Sequence, residues 1–551
     1  MTRIRLGMVG SFSAMRRFMP EGQAIATGLR ADIAVRMDAI YHSQPDLPPP
    51  PDAFNMAAYV LSGGSGTPDK LALSVLGEAR DDWTYARLTR AVRAIAGGLL
   101  AQGLVPGDRV LLRLGNTVEF PLAFLGAIAA GLVPVPTSSQ LTAREITGMA
   151  AQIDPALIVA GAGVALPDPL PCPVLAEAAL HDLATGPEAA FAMGDPNRPA
   201  YAIFTSGTSG KPRAVLHAHR AIWARRMMWE GWYGLTPEDR LMHAGAFNWT
   251  YTLGTGLMDP WSRGATALIP APGTNSKALP DLIAAERVTI FAAAPGVYRQ
   301  MLRGEMPDAP DLRHGLTAGE KLADPIRAAW EAATGTTLHE AFGMSECSTF
   351  VSGAPTRPAP EGCLGYPQPG RRVAVLGTDG PVARDVPGVL AIDRDDPGLM
   401  LGYVGAEDET RARYQGEWFL TGDSVLMTED GAIRYLGRDD DMMNAGGFRV
   451  SPVEVESAMV LHPDVHEAAA VELSVSATAK VIACFYVPEP GAAPDETALT
   501  AHARDTLAHY KCPRVFIAVD ALPKGANNKL LRRALRAQAE AGEFGAIGRK
   551  G

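Results

Sequence analysis

The chain has 551 residues, a length that corresponds to about three or four folding units of ordinary size. Hydrophobic residues make up 47% and charged residues 20%, which is typical of globular chains and excludes a disordered or fibrous protein. Acidic residues outnumber basic ones by 60 to 50, and this net charge of −10 argues against nucleic acid as a partner.

The first part of the chain ends in the proline-rich stretch QPDLPPPPD, which favours an extended conformation, so residues 1–55 are assigned to an N-terminal extension. This segment contains no uninterrupted apolar run of the signal-peptide type. The longest apolar stretch, residues 120–136, is shorter than the ~20 residues that cross a bilayer, and we interpret it as a buried helix that runs into a strand. We therefore expect a cytoplasmic protein with no transmembrane segment.

Residues 56–438 alternate helical periodicity, as in ARLTRAVRAIAGGLLAQGL, with short strand-like pieces. Those pieces include DRVLLRL, ALIVA, ATALI and VTIFAAA. The alternation predicts an α/β fold in which a large N-terminal domain is built from layered helices and largely parallel sheets. The pattern of segments changes in residues 439–551, and it predicts a small α+β C-terminal domain. The segments there are EVESAMVLHP, VHEAAAVEL, KVIACFYVP and a terminal helical stretch.

A loop rich in glycine, serine and threonine, from Thr205 to Arg213, follows the strand-like YAIF. Its glycines permit close backbone approach and its hydroxyls donate hydrogen bonds, which suits phosphate oxygens, although alone such a run is more typical of a flexible surface loop. A Walker-type motif is excluded because Thr205 and Pro212 stand where that motif has Gly and Ser or Thr. His217 and His219 are interpreted as structural, since two residues apart at the start of a helix they point to different faces.

Six ordered motifs resemble those of the adenylate-forming superfamily, which includes acyl- and aryl-CoA synthetases, the adenylation domains of nonribosomal peptide synthetases, and luciferases. In chain order they are TSGTSGKPRA, TAGEKL, HEAFGMSE, GEWFLTGD, GRDDDMMNAGGFRVSPVEVE and LPKGANNKLLRRAL. In that superfamily the first motif precedes a helix and clamps the ATP phosphates. The matches span about residues 81–535, so the resemblance implies the adenylate-forming fold with a small C-terminal domain that is mobile about a hinge.

The resemblance also implies roles for individual residues. Phe342 would pack on the adenine, Asp423 would bind the ribose hydroxyls, and Ser345 would bond the α-phosphate. Glu346 would hold Mg²⁺, and Lys529 would be the catalytic lysine. The other residues implied in ATP binding are Thr205, Ser206, Gly207, Thr208, Ser209, Gly210, Lys211, Arg213, Gly319, Glu320 and Arg438.

The small domain contributes further implied residues. Arg449 would reach the phosphate during catalysis, and Asp440 would be the hinge about which the domain reorients between the two half-reactions. Gly447 would line the tunnel for the pantetheine of coenzyme A, and Arg504 would contact the 3′-phosphate.

Two positions bear on the acid that is activated. Amino-acid-activating members have an Asp for the substrate ammonium where this chain has Asn248, and a neutral amide cannot replace that charge. Acetate-activating members have a bulky Trp where this chain has Gly343, so we expect room for a longer acyl group. The residues predicted to line the acyl pocket are Phe247, Asn248, Trp249, Tyr251, Ala318, Ala341, Gly343 and Met344.

The predicted activity is that of an acid-thiol ligase, which uses ATP, Mg²⁺ and coenzyme A to convert a medium-chain or aromatic acid to its acyl-CoA. The closest likeness is to medium-chain acyl-CoA and aryl-CoA synthetases of the benzoate type. An acyl-AMP ligase that loads a carrier protein in trans, a luciferase-like oxygenase and a non-catalytic scaffold are the alternatives. A homodimer is left open.

Overall fold

The computed structural model describes residues 38–77, 80–205, 212–439, 441–445, 448–474, 480–524 and 530–544, with only the backbone of residues 444, 445, 448 and 449. Its strands are β1 (Ile40–His42), β2 (Leu71–Leu76), β3 (Asp81–Thr84), β4 (Arg109–Arg113), β5 (Val133–Pro136), β6 (Leu157–Ala160), β7 (Val174–Ala176), β8 (Pro199–Thr205), β9 (Arg213–Ala218), β10 (Arg240–Ala244), β11 (Thr266–Pro270), β12 (Ile290–Ala293), β13 (His314–Ala318), β14 (Thr337–Met344), β15 (Ser348–Ser352), β16 (Tyr366–Pro367), β17 (Arg372–Gly377), β18 (Gly380–Pro381), β19 (Gly388–Asp393), β20 (Gly402–Tyr403), β21 (Tyr414–Gln415), β22 (Trp418–Met427), β23 (Ile433–Arg438), β24 (Met443–Ala445), β25 (Phe448–Val450), β26 (Val465–Ser474), β27 (Lys480–Pro488) and β28 (Val515–Ala518).

The helices are α1 (Met56–Ser62), α2 (Tyr85–Ala101), α3 (Glu119–Ala129), α4 (Ala143–Ile153), α5 (Ala179–Leu183), α6 (Arg220–Ala224), α7 (Arg226–Met228), α8 (Thr250–Leu253), α9 (Asp259–Arg263), α10 (Leu279–Ala285), α11 (Pro295–Met301), α12 (Asp324–Thr334), α13 (Glu407–Arg411), α14 (Pro452–Val460), α15 (Glu496–Thr506) and α16 (Arg532–Glu540). Trp229–Tyr233 and Gly254–Met258 are short π-helical turns, and Ser276–Ala278 and His509–Lys511 are 3₁₀ turns. No helix in the described ranges combines the length and the apolar character that a bilayer crossing requires.

The largest sheet has nine strands in the order β16-β15-β14-β13-β12-β10-β11-β2-β3. The six strands from β14 to β2 run parallel, and antiparallel strands β15, β16 and β3 flank them. The predicted pieces ATALI and VTIFAAA are the core strands β11 and β12, which lie on either side of β10. This parallel sheet confirms the α/β prediction.

Helices α2 and α3 show why the sequence forms these layers. Thr84 caps α2 by accepting a hydrogen bond from the backbone N–H of Arg87, and the apolar positions of α2 recur at helical spacing. The residues at those positions that are buried include Leu88, Val92, Ile95 and Leu99. Every residue of α3 is buried, and the chain continues directly into β5, so the predicted buried helix running into a strand is confirmed.

Strands β5-β4-β6-β7 form a parallel sheet, whereas β8, β9 and β20 form an antiparallel one. A third sheet has seven strands around the order β1-β17-β19-β22-β21, with β18 on β17 and β23 on β22. Strand β1 lies within residues 1–55, where an extension is predicted, and pairs antiparallel with β17. The end of that stretch is thus part of the seven-stranded sheet.

The smaller C-terminal domain is built on the sheet β26-β27-β28, against which α14 and α16 pack. Strands β26 and β27 are antiparallel, while β28 runs parallel to β27. This mixture of helices and a short mixed sheet agrees with the predicted α+β character of the C-terminal region.

Candidate active site

Most predicted site residues of the large domain lie at one edge of the nine-stranded sheet. Gly319 and Glu320 directly follow β13, while Phe342 lies near the end of β14 and Ser345 and Glu346 follow it. In open α/β sheets the carboxyl ends of parallel strands form the crevice in which ligands bind. Gly319 has a φ of +97°, a backbone conformation that favours glycine where the chain leaves β13.

The predicted phosphate loop begins and ends on paired strands. Thr205 at the end of β8 is directly opposite Arg213 at the start of β9. Of the other loop residues, those outside the described ranges are Ser206, Gly207, Thr208, Ser209, Gly210 and Lys211. The loop was expected to precede a helix, but β9 follows it, because its backbone pairs with β8 on one side and β20 on the other, and α6 begins only at Arg220.

His217 therefore lies on a strand and not on a helix, contrary to the placement predicted for it. Its Nε2 is 2.7 Å from the carbonyl oxygen of Ser345, and since that oxygen can only accept, the proton is on Nε2. Burial lowers the pKa of His217 to about 4, so the ring is neutral at pH 7. His219 accepts a hydrogen bond from the backbone N–H of Met56 at 2.9 Å. Both rings thus have protein partners, in keeping with a structural role.

Glu346 is buried and held by a tyrosine. The hydroxyl of Tyr403 donates to Oε1 of Glu346 at 2.6 Å, and the two residues are 5% and 8% exposed, respectively. Burial raises the pKa of the Tyr403 hydroxyl, and the nearby carboxylate raises it further, so the hydroxyl remains a donor. The guanidinium of Arg213 lies 5.5 Å from the Tyr403 ring centre and pairs with Glu409 at 2.5 Å. The start of β9 and Glu346 are thus joined through Tyr403.

A second set of contacts joins Phe342 to Asp423. The Phe342 ring lies 5.7 Å from that of Tyr435 and 5.6 Å from that of Phe350. Tyr435 donates its hydroxyl proton to Oδ1 of Asp423 at 3.2 Å, and Arg438 Nη1 is 3.1 Å from Oδ2. An aromatic surface therefore adjoins a buried, oriented carboxylate, an arrangement suited to a base and its ribose.

Gly422 explains the tight turn beside this carboxylate. Its φ is +76°, and a Cβ at this position would lie 2.9 Å from Nη2 of Arg438. Only glycine combines this φ with the close approach of the guanidinium. The glycine of the TGD segment thus permits the pair between Asp423 and Arg438.

The segment that was predicted to flank the adenine is fastened by a buried carboxyl group. Leu322 donates its backbone N–H to Oε1 of Glu340 at 2.8 Å, and Arg327 lies 3.3 Å from Oε2. Burial raises the pKa of Glu340 to about 7, against the lowering effect of the Leu322 N–H and Arg327. Residues after β13 are in this way attached to β14.

Tyr251 is fixed at the carboxyl ends of β12 and β13. Its hydroxyl donates to the carbonyl oxygens of Leu316 at 3.1 Å and Ala293 at 3.3 Å. The ring stacks on Trp232 with centres 5.8 Å apart and meets His243 edge-on at 4.5 Å. The Tyr251 ring is thus held rigidly at the ends of these two strands.

The predicted acyl-pocket residues do not all come together. Ala318 and Ala341 are buried in one apolar cluster, against which Tyr251 packs. Phe247 belongs to another core and lies 5.4 Å from Phe120, so its side chain is core. Met344 packs against the core of the seven-stranded sheet. Asn248 and Trp249 are half-buried between β10 and α8.

Gly343 does not provide the room that was expected for a longer acyl group. A Cβ on Gly343 would collide with the carbonyl oxygen of Ser348 and lie 2.5 Å from Cα of Thr349. The space beside this glycine is therefore filled by the backbone of β15, at an irregularity in the pairing of β14 with β15. Close approach of two strands accounts for the glycine here.

The residues predicted in the small domain are described only in part. Asp440, Gly447 and Lys529 lie outside the described residues, and Arg449 is described by its backbone alone, in β25. Arg504 is exposed in the last turn of α15.

Four residues of the site were not assigned to it in the sequence interpretation. They are Tyr403, which binds Glu346; Tyr435, which binds Asp423; Glu340, which binds Leu322; and His217, which binds Ser345. Glu340 and Tyr435 lie inside or just before recognised motifs, so their position was a usable signal. Tyr403 lies between motifs and offered none.

Comparison with known proteins identifies the family. The model of the AMP-binding enzyme family matches residues 63–404, and that of the AMP-binding enzyme C-terminal domain matches residues 454–529. A benzoate–CoA ligase of Thauera aromatica is 32% identical over 513 residues, which cover 87% of this chain and 92% of that protein. A mitochondrial acyl-coenzyme A synthetase of Mus musculus is 29% identical, with 89% and 91% covered.

Among solved structures, a benzoate CoA ligase from Burkholderia xenovorans superposes with a TM-score of 0.78 at 29% identity, covering 88% of this chain and all (100%) of that chain. The adenylate-forming fold and the division into a large and a smaller domain are thus shared along nearly the full length. With family models and relatives agreeing over most of its residues, the chain belongs to the AMP-binding enzyme family.

Proposed function

We propose that this protein is an acid-thiol ligase that activates an aromatic carboxylic acid with ATP and transfers the acyl group to coenzyme A. The observation that carries the proposal is the sequence of contacts from the Phe342 ring through Tyr435 to Asp423 and Arg438. It offers a surface for adenine next to acceptors for the two ribose hydroxyls. The relatives named above are CoA ligases and synthetases, so loading of a carrier protein is not favoured.

In the first half-reaction a carboxylate oxygen of the acid attacks the α-phosphorus of ATP, and the bond to pyrophosphate breaks. An anion thus approaches a polyanion, so the site must supply positive charge and hydrogen-bond donors. We propose that Arg213, at the base of the phosphate loop, and the hydroxyl of Ser345 serve this task together with Lys529 and Arg449. His217 fixes the backbone of Ser345.

Glu346 has the chemistry of a Mg²⁺ ligand. Proteins hold this ion through one or two carboxylates together with substrate phosphates, and the described residues contain no larger cluster of metal-binding side chains. Tyr403 occupies Oε1 of Glu346 and thereby orients the carboxylate. A Mg²⁺ ion held there would neutralise charge on the phosphates. Glu346 would bind it, and Tyr403 would keep the carboxylate in place.

In the second half-reaction the thiol of coenzyme A attacks the acyl carbon, and the bond to AMP breaks. We propose that the small domain reorients about Asp440 for this step, with Gly447 and the exposed Arg504 serving coenzyme A. A domain division at about residue 438 and a cytoplasmic location are likewise part of the proposal.

An aromatic acid is favoured by the walls of the predicted pocket. Tyr251 is rigidly held, and Ala318 and Ala341 add small, uncharged side chains to the apolar cluster against which it packs. A planar ring that carries no charge besides the reacting carboxylate suits such a surface. Medium-chain fatty acids are the alternative class.

The test is release of AMP and pyrophosphate from ATP across acids, namely benzoate, hydroxybenzoates and saturated acids from acetate to dodecanoate, with and without coenzyme A. We expect turnover that depends on coenzyme A and is fastest on aromatic acids. Pyrophosphate release without dependence on coenzyme A would instead indicate a different acceptor. No turnover on any acid would refute the proposed activity.

A further inference from the structure

Glu467 of the small domain lies between two cations that come from different domains. Its Oε1 is 3.3 Å from Nη1 of Arg299 in the large domain. Lys524 of the small domain is 2.7 Å from Oε1 and 2.8 Å from Oε2. One carboxylate therefore binds a residue of its own domain and a residue of the domain opposite.

Both cations lie close to functional parts of the chain. Arg299 is in α11, which follows the strand whose last residue, Ala293, accepts the hydrogen bond of Tyr251. Lys524 pairs with Leu530 in an isolated bridge, so it forms the base of the segment that contains Lys529. The contact thus joins the wall of the candidate site to the base of the segment with the predicted catalytic lysine.

The two ion pairs differ in what a domain rotation does to them. Glu467 and Lys524 move together, since both belong to the small domain. Arg299 belongs to the large domain, so any large rotation of the small domain separates it from Glu467. The pair between Arg299 and Glu467 exists only in the orientation seen here and stabilises that orientation relative to others.

We propose that Arg299 is a positioning residue for acyl-AMP formation. Through Glu467 it favours the domain orientation that places the base of the Lys529 segment against the large domain. The thioester half-reaction follows after the domain has turned and the pair has separated, so loss of Arg299 does not slow that step. This inference rests on the proposed function, because it assigns the present orientation to the first half-reaction.

Substitution of Arg299 removes its pair with Glu467 and leaves the pair between Glu467 and Lys524 in place. Its side chain is 38% exposed, and Glu467, at 20%, keeps Lys524 as a partner, so no buried charge is left alone. Ion pairs with this exposure change equilibria by about two- to fivefold. We expect Arg299→Met to slow acyl-AMP formation by about that factor, and Arg299→Glu, which places like charges together, by about tenfold.

The experiment measures the half-reactions separately on the full chain. Acyl-AMP formation is followed by ATP–pyrophosphate exchange with benzoate, and thioester formation by mixing preformed benzoyl-AMP with coenzyme A. Arg299→Met should slow only the first, and Arg299→Lys, which keeps the charge, should restore it. The deficit should shrink at 0.5 M salt because screening weakens the pair in the parent protein.

Two controls sharpen the result. Arg303→Met removes an exposed charge four residues further along and should change neither half-reaction. In an E467Q background, Arg299→Met should have no additional effect, since the pair is already lost. Equal loss of both half-reactions, or no loss of the first, would overturn the inference. Failure of the unmutated protein to form acyl-AMP would instead overturn the proposed function.

Discussion

Replacement of Tyr403 by Phe tests the assignment of Glu346 directly. The substitution keeps the ring and removes the hydroxyl that donates to Oε1 of Glu346 at 2.6 Å. A hydrogen bond to a charged group contributes about 1.5–3 kcal/mol, and here both partners are buried, so water cannot readily replace the donor. If that energy orients the carboxylate for ATP with Mg²⁺, the loss corresponds to about a 10- to 150-fold fall in kcat/KM for ATP.

The assay is ATP–pyrophosphate exchange over a range of Mg²⁺ concentrations. Tyr403→Phe should need more Mg²⁺ to reach half of its maximal rate, since the carboxylate is less well oriented. Tyr366→Phe is the matched control, because that hydroxyl also donates to a carboxylate, Asp430, at 2.7 Å, but on the surface. A folded Tyr403→Phe protein with unchanged exchange at every Mg²⁺ concentration would refute the role given to Glu346.

Three further predictions concern other contacts of the site. The pKa of Glu340 is raised by burial from 4.5 to about 7, so the free energy of unfolding of the parent falls by about 3 kcal/mol as the pH rises through this range. The free energy of unfolding of Glu340→Gln minus that of the parent should therefore increase by up to this amount between pH 5 and pH 8. A difference that does not change with pH would contradict this. Gly422→Ala should raise the KM for ATP about tenfold and lower the Tm, because its φ of +76° is unfavourable for alanine and Arg438 must move. An unchanged KM would exclude that displacement. Tyr251→Ala should lower stability by about 3–5 kcal/mol and raise the ratio of kcat/KM for octanoate to that for benzoate at least tenfold; an unaltered ratio would place the acyl group elsewhere.

The large elements could be predicted from the sequence because burial leaves a pattern in it. Apart from Glu119 and Thr266 at their first positions, helix α3 and the parallel strands β11 and β12 are apolar on all sides, and α2 repeats its apolar residues at helical spacing. The seven-stranded sheet could not be predicted, because β18 and β21 have two residues each and no periodicity. Strand β9 was taken for the start of a helix, since its pairing partner β20 is almost two hundred residues away.

The site divides in the same way. Residues inside motifs, such as Glu346 and Asp423, could be named from the sequence, but their hydrogen-bond donors could not. Tyr403 reaches Glu346 because β20 pairs with β9, with Tyr403 opposite Val215. That register depends on tertiary packing, which a single sequence does not display. At Gly343 the absence of a side chain was interpreted as room for the acyl group, but the structure has the backbone of the neighbouring strand β15 there.

The partners of the two site carboxylates differ in charge, and the difference matches the proposed roles. Among the described residues, Glu346 accepts a side-chain hydrogen bond from the neutral hydroxyl of Tyr403, which orients it without neutralising it. Asp423 accepts from the neutral Tyr435 and also from the cation Arg438. A ligand for Mg²⁺ needs its full negative charge, whereas an acceptor for ribose hydroxyls needs only fixed lone pairs and tolerates a cation beside it. The charges of the neighbouring side chains thus support Mg²⁺ at Glu346 and ribose at Asp423 independently of the motifs.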